Sequence, residues 1–119
     1  MTADLTDEIR AFALSLPGAW EDHPWGESVA KVGKKVFAFM GHPDYPPGLT
    51  VKLPDAGAYA LSQPYAEPAG YNLGRAGWVS VHFDRGDAPD LPLLQEWVEE
   101  SFRAIAPKKL VKELDRRAG

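Results

Sequence analysis

The stretch LPGAWEDHPWGE, residues 16–27, places Trp20, Glu21, Asp22, His23, Trp25 and Glu27 within eight positions. Acids and an imidazole this close could exchange protons. Paired carboxylates do general acid and base work when burial separates their proton affinities. The same residues also suit solvated loop carboxylates beside tryptophans that pin a turn. Pro17, Gly18, Pro24 and Gly26 punctuate the stretch. We read it as structural: it ends a helix, anchors the chain with aromatics and enters a sheet.

Other candidates for chemistry are scattered. His23, His42 and His82 lie on three separate segments, with no spacing that marks a metal site. Ser101 sits near Trp97 and Phe102 on a helical pattern, where a packed hydroxyl is expected rather than a nucleophile. The chain has no cysteine, which removes thiolate nucleophiles, thiolate metal sites and disulfides. Gly-x-Gly-x-x-Gly, the Walker loop, His-Glu-x-x-His and the Gly-x-Ser-x-Gly elbow are all missing. We therefore assign no catalytic residue, metal or cofactor, and expect the chain not to be an enzyme.

Binding chemistry is easier to find. Lys31, Lys34, Lys35 and Lys52 form a cationic group beside Trp78 and Tyr71. Lysines with aromatics suit nucleic acid, through phosphate contact and base stacking. Hairpin lysines also serve solubility and protect sheet edges. Lys108, Lys109 and Lys112 offer a second basic contact. A different surface, made of Lys52, Trp78, Ser80, His82 and Thr50 with Tyr71 at its rim, suits a protein or an anionic, partly apolar small ligand.

The elements that must position these residues follow from periodicity. Ile9, Phe12, Ala13 and Leu16 recur at helical spacing behind a Thr6 N-cap, so a helix is expected over about residues 4–16, ending at Pro17-Gly18. Residues 28–32 and 36–40 read as a hairpin across Gly33-Lys34, its tip ringed by lysines. GHPDYPPG, residues 41–48, is a loop. Leu49, Val51 and Leu53 alternate as a strand, and a short helix over about 55–62 follows. Residues 63–77 read as loop. Val79, Val81 and Phe83 alternate with Trp78, Ser80 and His82, so those three share the face away from the core. Tyr65 and Tyr71 are expected to cover Trp78. Gly86 to Pro89 turns the chain, Asp90 caps an amphipathic helix, and Pro107 starts a basic last helix.

Turns rather than long crossovers join the strands. The expected fold is therefore α+β, a two-layer sandwich with a mainly antiparallel sheet and helices packed on one face. With 119 residues, 45% of them hydrophobic and 25% charged, one domain spanning 1–119 is expected. No apolar run is long enough to span a membrane, and Met1-Thr2-Ala3-Asp4 is unlike a signal peptide, so a cytoplasmic protein is expected. The net charge of −4 opposes indiscriminate polyanion binding. Residues 103–119, however, hold six basic residues against two acids, a local +4 that leaves −8 for the remainder.

Several stretches together match a known pattern. Leu16-Pro17-Gly18, Glu21, Pro24-Trp25-Gly26, Val32-Gly33-Lys34 and Val36-Phe37-Ala38 resemble the opening of the MmcQ/YjbR family. Val51-Lys52-Leu53-Pro54, Gly70-Tyr71, Gly77-Trp78-Val79-Ser80-Val81 and Ser101-Phe102 continue the resemblance in order over nearly the whole chain. The family more often has Tyr where this chain has Phe102. The resemblance implies a small frataxin-like (CyaY-like) α+β fold and a DNA-binding role, with hairpins acting as wings. It implies no catalytic activity, and likeness of fold does not carry over iron binding. DNA binding would be weak and salt-dependent.

Overall fold

The computed structural model describes residues 2–85 and 87–118, and their side chains except those of 2–4, 25 and 118. The anchoring role expected of Trp25, the Asp4 carboxyl of the first helix and the turn at Gly86 fall outside the described residues. In chain order the strands are β1 (Ala19–Asp22), β2 (Ser28–Val32), β3 (Lys35–Gly41), β4 (Gly48–Lys52), β5 (Ala66–Pro68) and β6 (Trp78–His82). The helices are α1 (Thr2–Leu14), α2 (Gly57–Leu61), α3 (Leu91–Ile105) and α4 (Lys108–Ala118). The strands form one antiparallel sheet in the order β1-β2-β3-β4-β6-β5. α1 and α3 pack on each other and on the central strands. This is the expected α+β architecture.

The alternation of the strands decides what each face does. Ala30, Ala38, Val51 and Val79 are partners across β2, β3, β4 and β6, and all are buried beneath the helices. Ile9, Ala13 and Leu16 meet them from the first helix and its end, and Leu94, Val98 and Phe102 from α3. Phe102 packs edge-on to Phe37, with centroids 5.3 Å apart. One residue over, Val29, Phe39, Thr50 and Ser80 form the opposite row. That row faces away from α1 and α3, because successive side chains of a strand point to opposite faces.

Ser101 is fully buried on α3, and its hydroxyl is committed to the backbone. It donates to the Phe37 carbonyl at 2.5 Å and accepts from the Lys52 amide at 2.9 Å. Register shifts in the β2–β3 pairing at Ala30/Lys31 leave Phe37 without a ladder partner on β2. Ser101 thus fastens the irregular strand to its neighbour, the packed role expected of it.

Several local expectations need correction. α1 begins at Thr2, so Thr6 is interior to the helix rather than its cap. Leu5, one turn ahead of Ile9, already packs against the core, so the helical face includes residues before Thr6. The opening stretch contains a strand, β1, which pairs with β2. At four residues it is too short for periodicity to register. β5 likewise lies inside the segment read as loop, held by pairing with β6. Asp90 stands at the start of α3, but its side chain makes no capping hydrogen bond.

Candidate functional site

The hairpin of β2 and β3 turns at Gly33, whose φ of +62° is left-handed and suits glycine. Lys34 and Lys35 therefore stand exposed at the tip. Behind the tip, the α3–α4 junction brings Ile105, Ala106, Pro107 and Lys108 alongside. Together they border a groove of about 550 Å³ lined by Val32 and three lysines, with no acidic side chain among the described residues that line it. Lys109 is exposed on the next position of α4. α4 itself is tied down at its far end, where Arg117 Nη1 donates to the Ser15 carbonyl at 2.7 Å. Leu114 anchors its inner side in the core.

The remaining lysines are placed differently. Lys31 lies on the helix-free face, where Nζ contacts Asp22 Oδ2 at 2.8 Å and sits 5.3 Å from the Trp20 ring centroid. The Lys31 hydrogen bond and the His23 backbone amide hold the Asp22 carboxyl below its ordinary range. Trp20 is 44% exposed, and its indole N–H reaches the Gly33 carbonyl at 3.0 Å. It anchors β1 to the hairpin turn without being buried. Lys52 pairs across strands with Trp78. The four lysines grouped in the sequence thus divide: Lys34 and Lys35 join Lys108 at the groove, while Lys31 and Lys52 stand on the sheet face.

That face holds a cleft with two lobes, of about 120 Å³ and 200 Å³. Glu27, Phe39, Thr50 and Ser80 line both. The Thr50 and Ser80 hydroxyls lie 2.9 Å apart and hydrogen-bond each other. His42, Tyr45 and His82 border the first lobe, and Tyr71 and Leu73 the second. His42 Nδ1 accepts the Asp44 amide at 3.0 Å, and its Nε2 lies 3.3 Å from where a Cβ on Gly26 would stand. Gly26 has φ +84°, so a side chain there would be both strained and crowded. His82 Nε2 meets Glu67 Oε2 at 2.6 Å, with Arg85 on the same oxygen at 3.2 Å. The His82 hydrogen bond, opposed by partial burial and aided by Arg85, draws the Glu67 carboxyl downward.

Of the residues expected on this face, Thr50, Ser80, His82 and Tyr71 do line the cleft. Lys52 and Trp78 do not. Trp78 is only 8% exposed and packs edge-on to Phe39 with centroids 5.6 Å apart. The expectation of coverage holds, but its agents are corrected. Tyr65 belongs to the core beneath the helices, near Trp97, and Tyr71 is fully exposed. Tyr65 stands just ahead of β5, outside its ladder with β6, and is buried in the core cluster.

The acids of the opening stretch part company. Glu21 accepts from Arg10 at 2.8 Å and Ser28 at 2.7 Å. The Arg10 hydrogen bond, against some burial, holds its carboxyl below the ordinary range. Glu27 has no ion pair among the described residues. Burial pushes its carboxyl up, with His42 acting in the opposite sense. Sequence reasoning missed Glu27, His42 and Tyr45 as neighbours. The usable signal was the alternation of Glu27, Val29 and Lys31 on one strand face. The loop that carries His42 and Tyr45 gave none.

Among the described residues no cluster of three metal-ligating side chains occurs. No helix of the described residues is long and apolar enough to cross a membrane. No curated protein matches the chain at a significant level. The family model described as YjbR matches residues 14–104, from the end of α1 to the last turn of α3. The chain belongs to the YjbR family.

Proposed function

We propose that this protein is a binding module, not an enzyme, that holds the phosphate backbone of DNA in the groove between the β2–β3 hairpin tip and the α3–α4 junction. One observation carries the reading: Lys34 and Lys35, and Lys108 more than seventy positions further along the chain, wall one groove with no acid among the described residues that line it. The protein is acidic as a whole, so a local concentration of cations needs a local reason.

The first turn of α4 supports it. Lys108 and Lys109 sit at the positive end of the helix dipole, and no acid accompanies them. Stability alone would favour acids there. Pro107 precedes them and has no side-chain acceptor to cap the helix, so the first amides of α4 and the two lysines present one positive surface. A hairpin tip with two lysines reaches phosphates as a wing does, without reading bases. The contact is therefore expected to be weakly selective for sequence.

The test is fluorescence anisotropy with a labelled duplex at low salt. Wild type should bind in the micromolar range. The double variant Lys34→Glu/Lys35→Glu should lose at least about tenfold, as expected when two phosphate contacts turn repulsive. Unchanged affinity in the double variant, or no binding by wild type, would reject the groove. The reading of the sheet face as a site for an anionic ligand is less favoured, because Lys52 does not border the cleft.

A further inference from the structure

The cleft on the helix-free face is independent of the lysine groove and has the opposite character. Among the described residues its lining contains no lysine or arginine. Among the described residues the ionisable groups facing it are Glu27, His42 and His82 with the two tyrosines, and His82 is already engaged by Glu67 at 2.6 Å. We propose that this cleft binds a small organic cation, an ammonium or guanidinium group on a flat apolar body, with Glu27 as its counter-ion and Tyr45 and Tyr71 as its aromatic walls.

Glu27 is half-buried and lacks a cationic partner among the described lysines and arginines. A carboxylate drawn out of water without a counter-charge is costly. The upward push on its carboxyl expresses that cost. A bound cation would remove it. Beside Glu27, the Thr50–Ser80 hydroxyl pair offers oxygen lone pairs to the remaining N–H groups of such a ligand.

The aromatic residues point the same way. Phe39 lies on the floor shared by both lobes. Tyr45 borders one lobe at 71% exposure, and Tyr71 borders the other at 100%. Rings beside a carboxylate with no lysine or arginine partner among the described residues form the surroundings in which cations are held over π faces. Tyr71 and Asn72 have φ of 56° and 66°, two successive non-glycine residues in the left-handed region. That conformation is costly for a bulky side chain. Burial cannot offset it, since the ring is fully exposed. The backbone thus spends stability to present an aromatic ring at the mouth of the cleft.

The test is a ¹⁵N–¹H correlation titration of the full chain with 2-phenylethylammonium, with 2-phenylethanol and phenylacetate as the neutral and anionic counterparts. The ammonium should shift the amides of Glu27, Thr50 and Ser80 with a Kd of about 1 mM, in the range open to a ligand of this size. The neutral alcohol should bind at least about tenfold more weakly, as loss of a charge-assisted contact implies. Glu27→Gln should cost the ammonium about tenfold for the same reason. Tyr71→Ala should weaken it several-fold with an unchanged Tm, since the ring packs on nothing. Equal binding of the alcohol or of phenylacetate would overturn the proposal. So would full affinity in Glu27→Gln, or no shift of these amides with any of the three. Lys34→Glu/Lys35→Glu should leave the titration unaltered, so failure of the DNA reading and failure of this one are separable.

Discussion

On the face of the sheet under α1 and α3, Leu49, Val51, Val79 and Val81 are at most 2% exposed. On the other face, Thr50 and Ser80 alternate with them and stay partly open to water. The same strands thus build a packed core on one side and a partly open cleft on the other. The two glutamates of the opening stretch show what that difference does. Glu21, at the edge of the covered face, is met by Arg10 from α1 and is stabilised as a carboxylate. Glu27, on the helix-free side, has no arginine or lysine partner among the described residues, and burial, only partly opposed by His42, destabilises it as a carboxylate. Function is expected where burial has not been matched by pairing.

The sharpest way to break the comparison is to truncate one tryptophan on each face. Trp97, 3% exposed on α3, lies in the main core, and Trp97→Ala should cost about 4–5 kcal/mol by denaturant unfolding. Trp78 is buried outside that core, against Phe39, and Trp78→Ala should cost about 3 kcal/mol. A loss below about 1 kcal/mol for Trp78 would mean that the helix-free face is not packed at all.

A smaller effect is expected at Ser101. Ser101→Ala removes the acceptor of the part-buried Lys52 amide and the donor to the buried Phe37 carbonyl. The expected cost is roughly 1–3 kcal/mol. A neutral result would show that β3 and β4 close their own ladder without the hydroxyl.

The two glutamates give an opposed pair of pH effects. Glu21 has a folded pKa below its ordinary value near 4.5, so its contribution is present above that value and is lost as pH falls through the folded pKa. Glu27 has a folded pKa above the same value, so the fold is favoured while it is protonated and loses that advantage as pH rises. Glu21→Gln should therefore lower the Tm at neutral pH and Glu27→Gln should raise it slightly. Both differences should shrink as the pH falls, that of Glu27 first and that of Glu21 only below its ordinary value. Melting curves as a function of pH check the signs, and equal signs would erase the contrast between the faces.

Much of this architecture was legible from the chain. The hairpin pattern around Gly33-Lys34 and the alternation in residues 49–53 and 78–83 identified the central strands, and the latter put Trp78, Ser80 and His82 on one face. The edge strands were not legible, since three or four residues carry no period and owe their form to pairing with β2 and β6. The sites were legible only in part. Thr50, Ser80 and Tyr71 could be placed by alternation and loop position. The meeting of Lys34 and Lys35 with Lys108 could not, because it depends on where α3 ends against the hairpin. Likewise Glu27 and His42 belong to segments whose approach is set by tertiary packing at Gly26.

The salt dependence of duplex binding bears most directly on the lysine groove. With three phosphates neutralised by Lys34, Lys35 and Lys108, the slope of log K against log salt should be about −2.7, or roughly a 40-fold loss for a fourfold rise in salt. Lys108→Ala should reduce the magnitude of that slope by about 0.9, while Lys52→Ala, outside the groove, should leave it unchanged. A slope near zero, or a slope moved by Lys52 and not by Lys108, would contradict the assignment.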